Sequence, residues 1–166
     1  MHPFEQHIRS VPNFPKEGVV FKDISPLLTD HFDKVTQEMC AAINWDEVDA
    51  VIGIESRGFI LGAAMAQLQG KGFIPMRKKG KLPPPVIGES YALEYGSDTL
   101  ELIVNEKPLR VVVVDDVLAT GGTLRAAMTL CEKNNYQVTA LSLLINLTFL
   151  NKFKEEGLPV YSVLNY

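Results

Sequence analysis

Apolar and polar positions change period several times along the chain, and each change predicts an element. Behind Asp30, which can cap a helix, Phe32, Val35, Met39, Ala42 and Ile43 recur at helical spacing. Asp49-Ala-Val-Ile-Gly-Ile-Glu55 reads as a buried strand that runs into a polar turn. The apolar, Ala-rich stretch from Gly58 to Leu68 predicts a helix packed on a sheet, and Phe73 to Met76 a short second strand. Arg77-Lys78-Lys79-Gly80-Lys81, then Pro83-Pro84-Pro85 and Gly88, cannot continue either pattern and predict an exposed loop. Tyr91 to Glu94 and Thr99 to Val104 predict a strand pair joined through residues 95–98. Val111 to Val114 is a β-branched run with no polar alternation, which fits a strand buried on both faces, as in parallel sheets. The loop 115–122 precedes a helix with Leu124, Ala127, Met128 and Cys131 on one face. A strand from Val138 to Ile145, a short helix from Phe149 to Glu156 and a last strand from Val160 to Val163 complete the pattern. Strands alternating with helices define an α/β fold, an open, mainly parallel sheet flanked by helices. Ligands of such sheets bind at the carboxyl ends of the strands, which singles out the loops after Glu55, Met76 and Val114.

Composition narrows the classes of function. A length of 166 residues fits one domain, and 46% apolar residues exclude a disordered chain. With 16 Lys plus Arg against 20 Asp plus Glu, the formal charge is −4. That balance argues against sequence-independent nucleic-acid binding but leaves room for an anionic small molecule held by a local basic cluster. Cys40 and Cys131 are too few for a disulfide framework or a zinc site, and both fall in helical patterns as buried thiols. No run of about 18 apolar residues exists to span a membrane. The expected location is the cytoplasm.

The loop after Val114 reads Asp115-Asp116-Val117-Leu118-Ala119-Thr120-Gly121-Gly122-Thr123. Ala119, Gly121 and Gly122 let backbone amides approach a ligand, and Thr120 and Thr123 add hydroxyls at a helix start, a setting for a phosphate monoester. The two carboxylates would repel that phosphate, so sugar hydroxyls or a magnesium ion suit them better. Phosphate and diol together describe a ribose 5-phosphate. A plain Gly-Gly turn behind a solvated acidic strand end is the bland alternative. The loop is no P-loop, because no Gly-Lys-Ser/Thr follows the glycines.

Val111 to Leu124 resembles the phosphoribosyl pyrophosphate signature of the type I phosphoribosyltransferases: four hydrophobic residues, two acids, then a Thr-Gly-Gly-Thr ending. Other segments are similar to the adenine-specific members of that family. These are Pro12 to Pro15, Gly18 to Pro26, Glu55 to Phe59, Arg77 to Pro83 and Tyr91 to Gly96. The matches run in order from about residue 9 to Leu147. Lys22 stands where many relatives carry Arg, and Glu55 where some carry Asp.

The resemblance implies a type I phosphoribosyltransferase fold in one domain, with a hood over about residues 1–30 and a flexible lid over about 77–96. It implies that Asp115 and Asp116 hold the ribose hydroxyls and that Ala119, Thr120, Gly121, Gly122 and Thr123 hold the 5-phosphate. Glu55, Ser56 and Arg57 would form the pyrophosphate loop, often with a strained peptide before the Ser; an ordinary turn with a solvated Arg is the alternative. The lid would bring Arg77, Lys78, Lys81 and Tyr95 over the substrate, with Glu94 as proton acceptor for the base; otherwise the run is an exposed charged face and Glu94 a hairpin acid. Phe21 would stack on the base while the backbone of Val20 and Lys22 reads its edge; without the resemblance, Phe21 is a core residue. The implied reaction joins adenine and phosphoribosyl pyrophosphate to give AMP and pyrophosphate, with magnesium held mainly by the substrate and a homodimer as the working unit. Three alternatives are open: another base such as xanthine, hypoxanthine or orotate, a non-catalytic phosphoribosyl pyrophosphate sensor, and a phosphoacceptor receiver domain.

Overall fold

The computed structural model describes residues 1–93 and 96–166. Strands β1 (Arg9–Pro12) and β2 (Val20–Asp23) form a small antiparallel ribbon. The remaining strands form a seven-stranded sheet: β3 (Ala50–Ile54), β4 (Gly72–Lys78), β5 (Val86–Leu93), β6 (Gly96–Ile103), β7 (Leu109–Leu118), β8 (Tyr136–Asn146) and β9 (Val160–Asn165). Their spatial order is β5-β6-β4-β3-β7-β8-β9. The contacts of β3 with β4 and β7, of β7 with β8, and of β8 with β9 are parallel. The hairpin β5-β6 adds antiparallel to the edge of β4.

Among the described residues, three α-helices cover this sheet: α1 (Ser25–Cys40), α2 (Arg57–Gln69) and α3 (Gly122–Lys133). Period-two alternation in β7 explains how its apolar run serves two cores at once. Val112 and Val114 pack with Leu27, Val35, Leu61 and Met65 from α1 and α2. Val111 and Val113 face the opposite way, onto Leu124, Ala127 and Leu130 of α3. All four valines are fully buried, as a two-faced strand requires.

Several boundaries depart from the sequence pattern. α1 begins at Ser25, ahead of Asp30: the Ser25 amide donates to Asp23 Oδ1 at 2.9 Å, and Pro26 suits a first turn. A kink at His31 (φ −140°, ψ 28°) interrupts α1 one residue beyond Asp30. The expected loop 77–88 is shorter than the pattern suggests, because β4 runs to Lys78 and β5 begins at Val86, which leaves residues 79–85 between the strands. β7 likewise continues through Asp115 and Asp116 to Leu118, still paired with β8, so both acids are strand residues rather than loop residues. No helix forms over 149–156. There the Asn151 side chain bonds to the main chain at Ala119, Leu147 and Phe153, an alternative to helical pairing.

The start of α2 lies so close to the end of β7 that residue 58 has no room for a side chain. A Cβ on Gly58 would stand 2.8 Å from the Val114 carbonyl oxygen and 3.1 Å from Asp115 Oδ1. Gly58→Ala is therefore expected to cost about 1–3 kcal/mol, read as a lower urea midpoint at unchanged slope. An unchanged midpoint would show that α2 moves freely away from β7.

Candidate active site

Strand register assembles the site. Pairing of Ile54 with Met76 and of Gly53 with Val114 brings Glu55, Arg77 and Asp115 to one edge, at the carboxyl ends of three parallel strands. The Glu55–Ser56 peptide at this edge is cis. Glu55 is half-buried and accepts two hydrogen bonds from Arg77, at 3.2 Å from Nε and 3.1 Å from Nη2, and one at 2.9 Å from the Lys78 amide. The Arg77 guanidinium, above all, holds the Glu55 carboxyl below its ordinary range.

Arg57, the first residue of α2, links three parts of the molecule. Its Nε lies 2.6 Å from Asp116 Oδ2, and its Nη1 donates to the Lys22 carbonyl at 3.2 Å. Its guanidinium carbon stands 4.6 Å from the centre of the Phe21 ring. Asp116 is 6% exposed, and its Oδ2 has the ion pair with Arg57 but no aligned hydrogen bond. Asp115, half-buried beside it, has its carboxyl pushed well above the usual range, first by desolvation and then by the Asp116 charge.

The turn behind the acids ends at Gly121, which caps α3 with φ 93° and offers no side-chain hydrogen bond to the helix start. The amides of the first turn of α3 thus face outward without a side-chain partner from the cap. Thr120 is exposed, while Ala119, Gly122 and Thr123 are half-buried.

On the far side, Lys78 donates to Tyr91 Oη at 2.7 Å and is ion-paired with Asp98. Burial works against the Lys78 charge, but the bonds to Asp98 and Tyr91 prevail and raise its pKa. Lys81 is exposed, its amide donating to the Lys78 carbonyl at 3.3 Å. Ser56 is exposed as well. Val20 is 55% exposed on β2. Phe21 meets Phe14 edge-on at 5.1 Å, and Lys22 Nζ lies 4.1 Å from the centre of the Tyr166 ring and 3.0 Å from Ser10 Oγ. Glu94 and Tyr95 lie outside the described residues.

The structure thus brings Phe21, Lys22, Arg57 and Asp116 into one cluster and Glu55, Arg77 and Lys78 into another. Asp98 and Tyr91 join the second cluster with no local signal in the sequence, since Lys78 lies 20 and 13 residues from them, and Asn151 reaches the turn behind the acids at Ala119, 32 residues away. Two adjacent carboxylates are hard oxygen donors of the kind magnesium accepts. Arg57 already claims Asp116 Oδ2, and among the described residues no three His, Cys, Asp or Glu side chains converge on a metal position.

The mostly parallel sheet thus carries an acidic pair and a glycine-rich helix start at one strand end. Residues 24–156 match the phosphoribosyl transferase domain. The chain belongs to the phosphoribosyltransferase family. Adenine phosphoribosyltransferase from Bdellovibrio bacteriovorus is 50% identical over 161 residues, covering 96% of each chain. The crystal structure of adenine phosphoribosyltransferase from Rhodothermus marinus has a TM-score of 0.89 at 41% identity, covering 98% of this chain and 96% of that one. The Saccharomyces cerevisiae enzyme, complexed with an imino-altritol bisphosphate and adenine, has a TM-score of 0.79 at 32% identity, covering 96% and 95%.

The raised pKa of Asp115 means that its charge costs folding energy. That cost is absent below the unfolded carboxylate value near pH 4 and complete above the raised folded value. Asp115→Asn is therefore expected to stabilise the protein at pH 7, by on the order of 1 kcal/mol, and the gain should vanish as pH falls toward 4. Melting temperatures of both proteins across pH 4–8 check this; a gain independent of pH would contradict it.

Proposed function

We propose that this chain transfers the phosphoribosyl group of phosphoribosyl pyrophosphate to adenine, forming AMP and releasing pyrophosphate. This is the activity of the adenine phosphoribosyltransferases that match it over nearly its whole length. The observation that carries the reading is the end of β7, where Asp115 and Asp116 stand one short turn ahead of the Gly121–Gly122 start of α3. A receiver domain needs no such turn behind its acids. Adenine is preferred over xanthine, hypoxanthine or orotate, and catalysis over sensing, on the strength of the relatives' shared activity.

In this reading the 5-phosphate is held by the amides of residues 119–123 and the hydroxyls of Thr120 and Thr123. Asp115 and Asp116 orient the ribose hydroxyls and lie beside the positive charge that develops at the anomeric carbon. Arg57 keeps Asp116 in place and closes one side of the base site formed by Val20, Phe21 and Lys22. Glu55 and Ser56 line the pyrophosphate loop, and Arg77, Lys78 and Lys81 supply positive charge near the departing group.

The reaction is a displacement through an oxocarbenium-like transition state. The adenine N9 electron pair forms the new bond to the anomeric carbon as the bond to pyrophosphate breaks. The N9 proton passes to a carboxylate, for which Glu94 is the candidate. Fixing phosphate and diol at one strand end converts much of the encounter into orientation that the protein provides in advance. Magnesium, held mainly by substrate oxygens, would neutralise charge on the leaving pyrophosphate.

The same reading takes the chain as one catalytic domain with a hood over about residues 1–30 and a lid over about 77–96. It is taken to work in the cytoplasm, and among the described residues no helix is long and apolar enough to cross a membrane. A homodimer is supported by the exposed Phe32, Ile60 and Leu68 on α1 and α2, apolar surface that a second copy would cover.

Purified protein given labelled bases and phosphoribosyl pyrophosphate is expected to convert adenine to AMP with one pyrophosphate per turnover. Clear preference for another base would overturn the adenine assignment. Asp115→Asn combined with Asp116→Asn should lower kcat/KM at least about 100-fold in a folded protein. Retained turnover in that variant would overturn the ribose assignment.

A further inference from the structure

The segment after β8 has no part in the chemistry derived above, yet it braces the turn at residues 119–123. Asn151 Nδ2 donates to the Ala119 carbonyl at 2.8 Å and to the Leu147 carbonyl at 2.9 Å, with Asn146 Oδ1 at 3.1 Å. Its Oδ1 accepts from the Phe153 amide at 3.0 Å. One amide side chain therefore faces acceptors with its nitrogen and a donor with its oxygen, an orientation that cannot be flipped without losing every bond.

Two consequences reach the turn. The Ala119–Thr120 peptide is planar and trans, so its carbonyl and the Thr120 N–H point in opposite directions. Pinning the carbonyl to Asn151 aims the Thr120 N–H away from Asn151. Asn151 also fixes Phe153, which is 8% exposed and packs where residue 121 would carry a side chain. A Cβ on Gly121 would lie 2.6 Å from Phe153 Cδ2 and 2.8 Å from Arg125 Nη1. The Arg125 guanidinium in turn covers the Phe153 ring at 4.7 Å. Ring and guanidinium thus leave no room for a side chain at position 121, where the backbone has a positive φ that suits glycine.

We infer that Asn151 is a positioning residue for the 5-phosphate of substrate and product. It sets the Ala119–Thr120 peptide directly and, through Phe153, closes the space beside Gly121. The inference rests on the reading of residues 119–123 as the phosphate turn. It goes beyond that reading by assigning the rigidity of the turn to a side chain some thirty residues downstream that touches no substrate.

The test compares AMP with adenosine, which lacks only the phosphate. Asn151→Ala and the milder Asn151→Ser are measured well below the lower of their melting temperatures, so that loss of folding does not enter. Asn151→Ala is expected to weaken AMP binding and raise the KM for phosphoribosyl pyrophosphate about tenfold, the size of one or two lost hydrogen bonds. Adenosine and free pyrophosphate should bind as they do to the unaltered protein, and kcat should change by less than about threefold. Asn151→Asp, which keeps the shape but turns a carboxylate oxygen toward Ala119 and Leu147, should lose more than Asn151→Ala. Equal losses for AMP and adenosine, or no loss for AMP, would overturn the inference. Failure of the underlying reading would show separately: Thr123→Ala in the otherwise unaltered chain would leave AMP binding unchanged.

Discussion

Two carboxylates on successive residues of a central strand repel each other, and the structure around β7 holds them where they are. Asp115 and Asp116 follow four fully buried valines, so the strand cannot slip without driving apolar side chains out of both cores. Asp116 is compensated by Arg57, while Asp115 remains raised in pKa at the same edge. Such an arrangement costs folding energy, and costly groups of this kind concentrate where a protein binds or reacts. The tight contact of Gly58 with the Val114 carbonyl belongs to the same requirement, because it lets α2 bring Arg57 against Asp116.

Arg57 then transmits that constraint to the N-terminal ribbon. By bonding the Lys22 carbonyl and lying over Phe21, it ties β2 to the end of β7. The proposed base site and the proposed ribose site are thereby neighbours through a single side chain. A second set of ion pairs, Glu55 with Arg77 and Lys78 with Asp98, holds the basic segment in place at the other side of the strand ends. The net charge of −4 says little about this distribution. What matters is that cations gather at the same edge as the acids, as a substrate with phosphate at one end and diphosphate at the other requires.

Much of this was legible in the chain. Four consecutive valines announced a strand buried on both faces, and the acid pair before a Gly-Gly turn marked the loop that the fold places at the sheet edge. The alternation of strands with helices was legible for the same reason, since burial on two faces removes polar alternation. Other features were hidden because their partners are distant in sequence. Nothing local to Arg57 indicates Asp116 or the Lys22 carbonyl, and nothing local to Asn151 indicates Ala119. The helix expected over 149–156 failed for that reason: its apolar spacing is real, but the Asn151 side chain takes the main chain elsewhere. Asp30 resembled a cap by position, yet Asp23 and Pro26 start α1 earlier, and Asp30 stands one residue before the kink at His31.

The central claim is that the two anion sites are divided between strand ends, phosphate at β7 and pyrophosphate at β3, with the base against β2. A crystal structure of the protein soaked with AMP and pyrophosphate tests that division most directly. The account predicts the AMP phosphate on the amides of residues 120–123, the ribose hydroxyls on Asp115 and Asp116, adenine beside Phe21, and pyrophosphate at Glu55–Arg57. An AMP phosphate seated at Glu55–Arg57 instead, with residues 120–123 free of ligand, would contradict it.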